Sequence, residues 1–300
     1  MSVSLFQTVD SALPSARDIL ELMKLKIGGM IALTAVVAYI VVSPTVEPLH
    51  LLALTLLMIL GSASSGIVNH VYDRDIDQRM SRTANRPLVR QPGTDLRVPL
   101  VLAALFLGIS VLLSLHLFNA PTAFYLFMGA LVYGVVYTIW LKRRTWTNII
   151  FGGTSGSFAV LAGAAAADPQ ATTLPWLFAL FLFFWTPTHF WSLAIFLKED
   201  YRQAGIPMLP VLIGEKKAAR VILINSVLLI ASSLLPWWFS ELGPLYGMGA
   251  SALGIFLLWQ NLRMVKNPDA TTARANFLAS MKYLGGIFCF MVADIHLPWN

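Results

Sequence analysis

Long apolar stretches alternate with short polar ones along the chain, and the apolar stretches exceed what a soluble core needs. Breaking the charge-free runs at proline and at polar clusters gives spans at residues 27–46 and 48–72. Residues 98–141 carry no charge and are too long for one helix. Asn119-Ala120-Pro121 divides them, because proline lacks a donor N–H and suits a first helical turn. Residues 145–167, 169–197, 221–240 and 242–262 give four more, and a ninth covers 276–295, interrupted by Lys282. A bilayer crossing takes about 20 apolar residues, so the pattern predicts an all-α membrane protein with nine transmembrane helices.

The polar stretches set the orientation. Three Lys or Arg precede the first span (Arg17, Lys24, Lys26), and six separate the second and third (Arg74, Arg79, Arg82, Arg86, Arg90, Arg97). Three follow the fourth (Lys142, Arg143, Arg144), and five lie between the sixth and seventh (Lys198, Arg202, Lys216, Lys217, Arg220). Three more separate the eighth and ninth (Arg263, Lys266, Arg274). Twenty of the 21 basic residues thus occupy alternate loops, and the last is Lys282. Cytoplasmic loops carry this excess, so the N-terminus is expected in the cytoplasm and the C-terminus in the periplasm.

Composition agrees. Charged residues make up 12% of the 300-residue chain and apolar ones 57%, against about 25% charged in soluble domains. Too few charges remain to coat a soluble globule, and a disordered chain is excluded as well. The net charge of +6 is accounted for by the loop bias and calls for no nucleic-acid partner. A single cysteine, Cys289, rules out an intramolecular disulfide. Asp10, Asp18 and Glu21 accompany one arginine before Lys24, unlike an Arg-rich transit peptide, and the first apolar run is long enough to remain as a span. A bacterial inner membrane is expected. Residues 1–26 form an N-terminal segment in which 14–25 (PSARDILELMKL) read as a short amphipathic helix. Residues 27–296 form a single domain.

Two acidic clusters carry the candidate chemistry. The first ends span 2, where Asn69, Asp73 and Asp77 follow each other at steps of four. On a continuous helix they form one stripe about 12 Å long, while Asp75 falls on another face. Arg79, Arg82, Arg86 and Arg90 follow at once. Carboxylates beside arginines at a membrane surface suit a Mg²⁺–pyrophosphate site: oxygen ligands hold the hard cation, and basic side chains meet the remaining phosphate charge. The second cluster, Lys198-Glu199-Asp200-Tyr201-Arg202, ends span 6, so Asp73 and Asp200 close even-numbered spans in comparable places. A loose internal duplication is hinted at. Tyr137 to Arg144, at the end of span 4, adds Lys142 and Arg143.

Four stretches carry a resemblance. They are NHVYDRDIDQRMSRTANRPLV (69–89), YTIWLKRRTWTNIIFGGTSGS (137–157), WTPTHFWSLAIFLKEDYRQAGIPMLPVLIG (185–214) and ARANFLASMKYL (273–284). Together they resemble the UbiA-type intramembrane prenyltransferases, over most of the chain from Lys24 to Asp294. RTANRPL and HFW…DYRQAGIPMLP are similar to the protohaem IX farnesyltransferase (haem O synthase) branch of that family.

The resemblance implies nine helices around a central cavity that opens toward the cytoplasmic side. It implies transfer of a farnesyl group from farnesyl diphosphate to a vinyl group of haem b, with Mg²⁺ as cofactor and haem b as substrate. The product, haem O, would serve haem-copper terminal oxidases, which makes haem A synthase or an oxidase assembly the expected protein partner. Asn69, Asp73 and Asp77 fall on the family's first metal–diphosphate motif, and Asp200 on the second. Phe196 and Ala204 flank Asp200 at steps of four, so a complete second Asp-x₃-Asp is absent. Arg79, Arg82, Arg86, Lys142, Arg143, Lys198, Arg202 and Tyr137 are the expected diphosphate contacts.

The residues suit ionisation of an allylic diphosphate. Mg²⁺ and arginines stabilise the departing negative charge, and the carbocation needs a dry pocket. Span 6 offers Phe181, Phe183, Phe184, Trp185, Phe190 and Trp191, of which two at most are expected to face a cation. Ser62, Ser64, Ser65, Gly152, Gly153 and Gly156 read as close helix packing. His189 either ligates the haem iron or hydrogen-bonds a neighbouring helix. On a continuous helix Asp200 lies about 16 Å beyond it, with room for a porphyrin between. Two other readings remain at this point: prenylation of a quinone precursor such as 4-hydroxybenzoate, and a secondary transporter. A transporter would place its ionisable groups near the midplane, whereas these acids cluster at one surface.

Overall fold

The computed structural model describes residues 14–43, 45–171 and 173–297. The first thirteen positions of the expected N-terminal segment lie outside the described residues, as does the end of the chain from 298. A short helix α1 (Ala16–Leu22) leads into α2 (Leu25–Val42), α3 (Pro48–Asp77), the single turn α4 (Pro87–Arg90), α5 (Arg97–Leu117) and α6 (Ala120–Leu131). α6 continues as a π-helix over Val132–Leu141. Then come α7 (Asn148–Ala167), α8 (Thr173–Phe196), the short α9 (Lys198–Gln203) and α10 (Leu209–Ile213), α11 (Glu215–Trp238), α12 (Pro244–Lys266) and α13 (Ala270–His296). No strand occurs among the described residues.

Eight of these helices are long and apolar enough to cross a membrane, and the protein is a multi-pass membrane protein. α12, which covers the expected span 242–262 from Pro244 onward, is not among the eight: Gln260 and Asn261 interrupt its apolar run. Large apolar side chains cover the outer faces, with Leu112, Ile224 and Ile255 each about two-thirds exposed. The expected break near residue 120 is present. Asn119 caps α6, its side chain accepting from Thr122 N at 2.9 Å, and Pro121 sits in the first turn.

The long helices form two half-bundles. α2, α3, α5, α6 and α7 pack on one another, as do α8, α11, α12 and α13, and the halves join along α7–α8 and α2–α13. A Cβ on Gly163 would lie 1.9 Å from the Ala35 carbonyl oxygen, so glycine is what lets α7 approach α2 this closely. One core gathers Val37, Phe178, Leu229, Tyr246, Tyr283 and Phe288. At the opposite end Ile76, Met80, Trp191, Tyr201, Ile206 and Met208 bind the segments after α3 and α8 together. Burying a side chain such as Ile206 or Met208 stabilises these segments by about 1.5–3 kcal/mol.

The amphipathic helix expected over 14–25 is shorter, because the chain leaves the helix at Met23 and Lys24. Ser15 and Asp18 form a capping box, and Leu22 is buried with Ile67, Leu88 and Ala103. Arg90 approaches Asp18 at 3.3 Å, fastening α1 to the end of α4. The Ser15 hydroxyl hydrogen bond, with Arg90 beside it, holds the Asp18 carboxyl below its ordinary range.

Candidate active site

α3 is the longest helix, at 30 residues, and nothing in its sequence stops it at the membrane surface. Its last turns therefore carry Asn69, Asp73 and Asp77 along one buried face, with Asp73 fully enclosed. Asn69 Nδ2 donates to Asp73 Oδ2 at 2.7 Å and to Thr138 Oγ1 at 3.0 Å. Lys142 Nζ donates to Asp73 Oδ2, and Lys24 Nζ to Asn69 Oδ1. Arg86 Nη1 meets Asp77 Oδ2 at 2.6 Å. Asp75 points away, as the helical spacing requires, and is gripped by Arg143 through two bonds of 2.6 and 2.8 Å.

These groups form one end of a cavity of about 510 Å³ enclosed by α2, α3, α6 with its π extension, α7, α8 and α13. Of the expected site residues, Asn69, Asp77, Arg82, Arg86, Tyr137, Lys142 and His189 line it, and Asp73 lies behind Asn69 and Lys142. The rest do not line it. Arg79 is exposed in the turn after α3. Arg143 stacks on the Tyr72 ring at 4.5 Å while holding Asp75. Lys198 pairs with Glu215 at 2.7 Å, and Arg202 with Glu199 at 2.8 Å.

Asp200 is displaced from its expected place by a break in the helix. α8 stops at Phe196, Leu197 leaves the helical path, and Asp200 sits on the short α9. Its two oxygens accept from the Ser81 hydroxyl at 3.1 Å each. A straight-helix separation from His189 does not apply across that break. Tyr201, the next residue, is the one that lines the cavity.

Lys24, which in the sequence bears only on topology, and Tyr133, which lies outside the motifs, both line the cavity. Lys24 has φ 51° and ψ 47°, a left-handed backbone between α1 and α2. That conformation costs a non-glycine residue roughly 1–2 kcal/mol, and here it turns the side chain inward onto Asn69. Burial, with Arg86 and Lys142 nearby, holds the Lys24 ammonium well below the ordinary lysine range. No local pattern marks this residue. Tyr133 did leave a signal, four residues before Tyr137, and the two rings stack at 5.6 Å. The π-helical stretch carries them, with the Thr138 hydroxyl donating to Tyr133 O at 2.8 Å. Such segments are rare and frequent at functional sites.

The body of the cavity is apolar, with Ile31, Met58, Leu126, Ala159, Leu182 and Leu284 on its walls. Two of the six span-6 aromatics, Trp185 and Phe190, line it; Phe181 and Trp191 belong to the cores. Ser62, Ser65, Gly152, Gly153 and Gly156 line it too, which corrects their reading as packing alone. Gly152 and Gly153 do both, since a Cβ on either would lie within 3 Å of Tyr137 or Thr186. Thr188 instead joins α8 to α11, accepting from Asn225 Nδ2 at 2.8 Å beside Ser226 at 3.0 Å.

The donor set fits a shared Mg²⁺. Asp73 Oδ1 is buried without a hydrogen-bond partner. No cluster of three or more His, Cys, Asp or Glu suited to a metal occurs among the described residues. Mg²⁺ commonly takes one or two carboxylates and completes its shell with waters and substrate phosphates, which is what Asp73, Asp77 and the Asn69 amide offer.

Known proteins agree with this architecture. Residues 31–285 match the model of the UbiA prenyltransferase family. Protoheme IX farnesyltransferase 1 of Paramagnetospirillum magneticum is 51% identical over 93% of this chain and 99% of its own. Protoheme IX farnesyltransferase of Rhizorhabdus wittichii is 37% identical over 93% of both. A structure concerned with digeranylgeranylglyceryl phosphate synthase superimposes with a TM-score of 0.78 at 18% identity, covering 93% of this chain and 98% of its own. A UbiA homologue from Archaeoglobus fulgidus bound to DMAPP and Mg²⁺ gives 0.67 at 16% identity, covering 91% and 99%. With its helical bundle and its cavity ending in paired acids and cations, the chain belongs to the UbiA prenyltransferase family.

Proposed function

We propose that the protein transfers the farnesyl group of farnesyl diphosphate to a vinyl group of haem b, giving haem O. The observation that carries this reading is a single cavity joining a cationic, acid-bearing end to an apolar body that holds one histidine. The relatives of 37–51% identity that carry the name protoheme IX farnesyltransferase support the acceptor.

Arg82, Arg86 and Lys142 gather with Lys24 at the acidic end, and the first three alone carry more positive charge than the two carboxylates there can balance. A diphosphate completes the balance through charge-assisted hydrogen bonds. Asp73 and Asp77, with Asn69, would hold Mg²⁺ against it. When bound, that ion neutralises charge on the departing pyrophosphate. Lys24 and Lys142 hold Asn69 and Asp73 in place. The allylic C–O bond breaks with its electron pair leaving on pyrophosphate. Tyr133, Tyr137, Trp185 and Phe190 border the place where the cation develops; their π faces support it and their bulk excludes water. The vinyl π electrons form the new C–C bond, and the cation left beside the porphyrin takes the oxygen of one water, whose proton leaves. Asp200 acts on this site through the Ser81 loop.

The protein works in a bacterial inner membrane, with nine spans, the N-terminus cytoplasmic, the C-terminus periplasmic and the cavity opening toward the cytoplasm. The loop distribution of Lys and Arg supports this, and reporter fusions after residues 90, 144 and 215 should report cytoplasm and those after 169 and 300 the periplasm. A cytoplasmic C-terminus would refute the nine-span arrangement.

The chemical test uses detergent-purified protein with haem b, farnesyl diphosphate and Mg²⁺. The haem product should gain the mass of one farnesyl and one hydroxyl group, and EDTA should stop its formation. Unchanged haem b with prenylated 4-hydroxybenzoate would overturn the acceptor. No transfer to either acceptor would overturn the enzyme reading.

A further inference from the structure

His189 is held on three sides. Its ring stacks on Trp185 with centroids 4.4 Å apart and 18° between planes. Phe277 of α13 covers another side at 4.4 Å, and Phe190 meets it edge-on at 5.3 Å. Aromatic contacts of this kind restrain the plane of the ring without fixing which nitrogen carries the proton.

Ser280 fixes the proton. Its Oγ lies 2.7 Å from the Phe277 carbonyl oxygen and 2.9 Å from His189 Nδ1. The carbonyl has no proton to give, so the single hydroxyl proton of Ser280 goes to Phe277 O. The contact with His189 then requires the proton to sit on Nδ1, donating to Ser280 Oγ. Nε2 is left as a lone pair. It makes no hydrogen bond among the described residues, and the ring lines the cavity. Ser280 is itself fully buried, and Trp185 Nε1 donates to its carbonyl at 2.8 Å, so the serine is anchored to the same stack.

A neutral imidazole with Nδ1–H engaged and Nε2 bare is the form that ligates a metal, and such histidines pass their other N–H to a fixed acceptor. We infer that Ser280 is a positioning residue which, through a chain from Nδ1–H to its hydroxyl to the Phe277 carbonyl, presents His189 Nε2 as an axial ligand to the iron of a metalloporphyrin acceptor. This rests on the haem reading proposed above and adds to it the residue that sets the ligand's tautomer. An acceptor without a metal has to bring an O–H or N–H donor instead, because this nitrogen gives no proton.

Nitrogen-15 NMR of imidazole-labelled full-length protein in detergent reads the tautomer without any haem. His189→Ala identifies the signal among the five histidines. The wild-type protein should show the Nδ1–H form, and Ser280→Ala a mixture. Haem b titration, followed by absorption and by electron paramagnetic resonance of the ferric state, reads ligation. Wild type should give an imidazole-ligated iron that His189→Ala abolishes. Ser280→Ala should weaken haem affinity about 10- to 100-fold, the usual loss when the partner of a ligating histidine is removed. Ser280→Thr keeps the hydroxyl and should retain the ligated spectrum, and metal-free protoporphyrin IX should bind equally to wild type and Ser280→Ala. An Nε2–H tautomer in wild type, an iron spectrum without imidazole, or a Ser280→Ala protein with wild-type spectrum and affinity would each overturn the inference. Imidazole-ligated haem b that is never farnesylated would overturn the proposed function and leave the role of Ser280 standing.

Discussion

The ends of α3 and α8 look alike as strings of residues and behave differently as structure. Each closes an apolar helix with acids and bases. α3 runs unbroken to Asp77, so its stripe keeps helical register and reaches the cavity as buried groups matched by Lys142 and Arg86. α8 ends at Phe196, and its acids continue on the six-residue α9. There Glu199 pairs with the exposed Arg202, and Asp200 takes a serine hydroxyl from the loop after α3. A carboxylate becomes a candidate ligand when the helix beneath it continues and its partners are desolvated. Where the helix stops, the same residue types become solvated pairs and loop ties.

This comparison can be broken most sharply at Asp73. Asp73→Asn should cut turnover at least ~10²-fold, the scale for losing one electrostatic stabiliser in an enclosed site; Asp77→Asn should fall in the same range. Steady-state rates at saturating Mg²⁺ and matched expression check this, and a wild-type rate for Asp73→Asn would remove the α3 stripe from the chemistry.

The cations offer the second contrast. Arg86→Met removes a group that lines the cavity and meets Asp77, and should raise the KM for farnesyl diphosphate about 10-fold or more, given about 1.5–3 kcal/mol for a hydrogen bond to a charged group. Arg202→Met removes an exposed, solvent-screened pair with Glu199 that lies off the cavity, and should leave the KM within about threefold. Equal effects of the two would erase the distinction between the helix ends.

Asp200 and Ser81 test the tie between the two ends. Either Asp200→Asn or Ser81→Ala weakens one hydrogen-bonded contact, so each should lower activity about five-fold, corresponding to roughly 1 kcal/mol. The double variant should be no worse than Asp200→Asn alone, because groups sharing one contact are not additive. A loss from Asp200→Asn as deep as that from Asp73→Asn would instead make Asp200 a direct ligand. The smallest effect is expected at Asp75, half-exposed on the far face of α3 and paired with Arg143. Asp75→Asn should change turnover by less than about threefold and be visible chiefly as a small drop in thermal stability.

Much of this was open to view along the chain. Apolar length and loop charge act locally and bear directly on whether a segment enters a bilayer, so the helices and the break at Asn119 follow from residue order. The steps from Asn69 to Asp77 needed only helical periodicity to share a face. What the sequence left undecided is how segments far apart meet. Nothing near Lys24 announces a left-handed turn onto Asn69, and nothing near Arg143 says that it faces Asp75 rather than the cavity. Ser280 lies 91 residues from His189, yet its hydroxyl selects the proton position of that ring. Local preference sets where helices run; which side chains lose water together is a property of the packed bundle, and that loss of water is what turns a charge or a lone pair into chemistry.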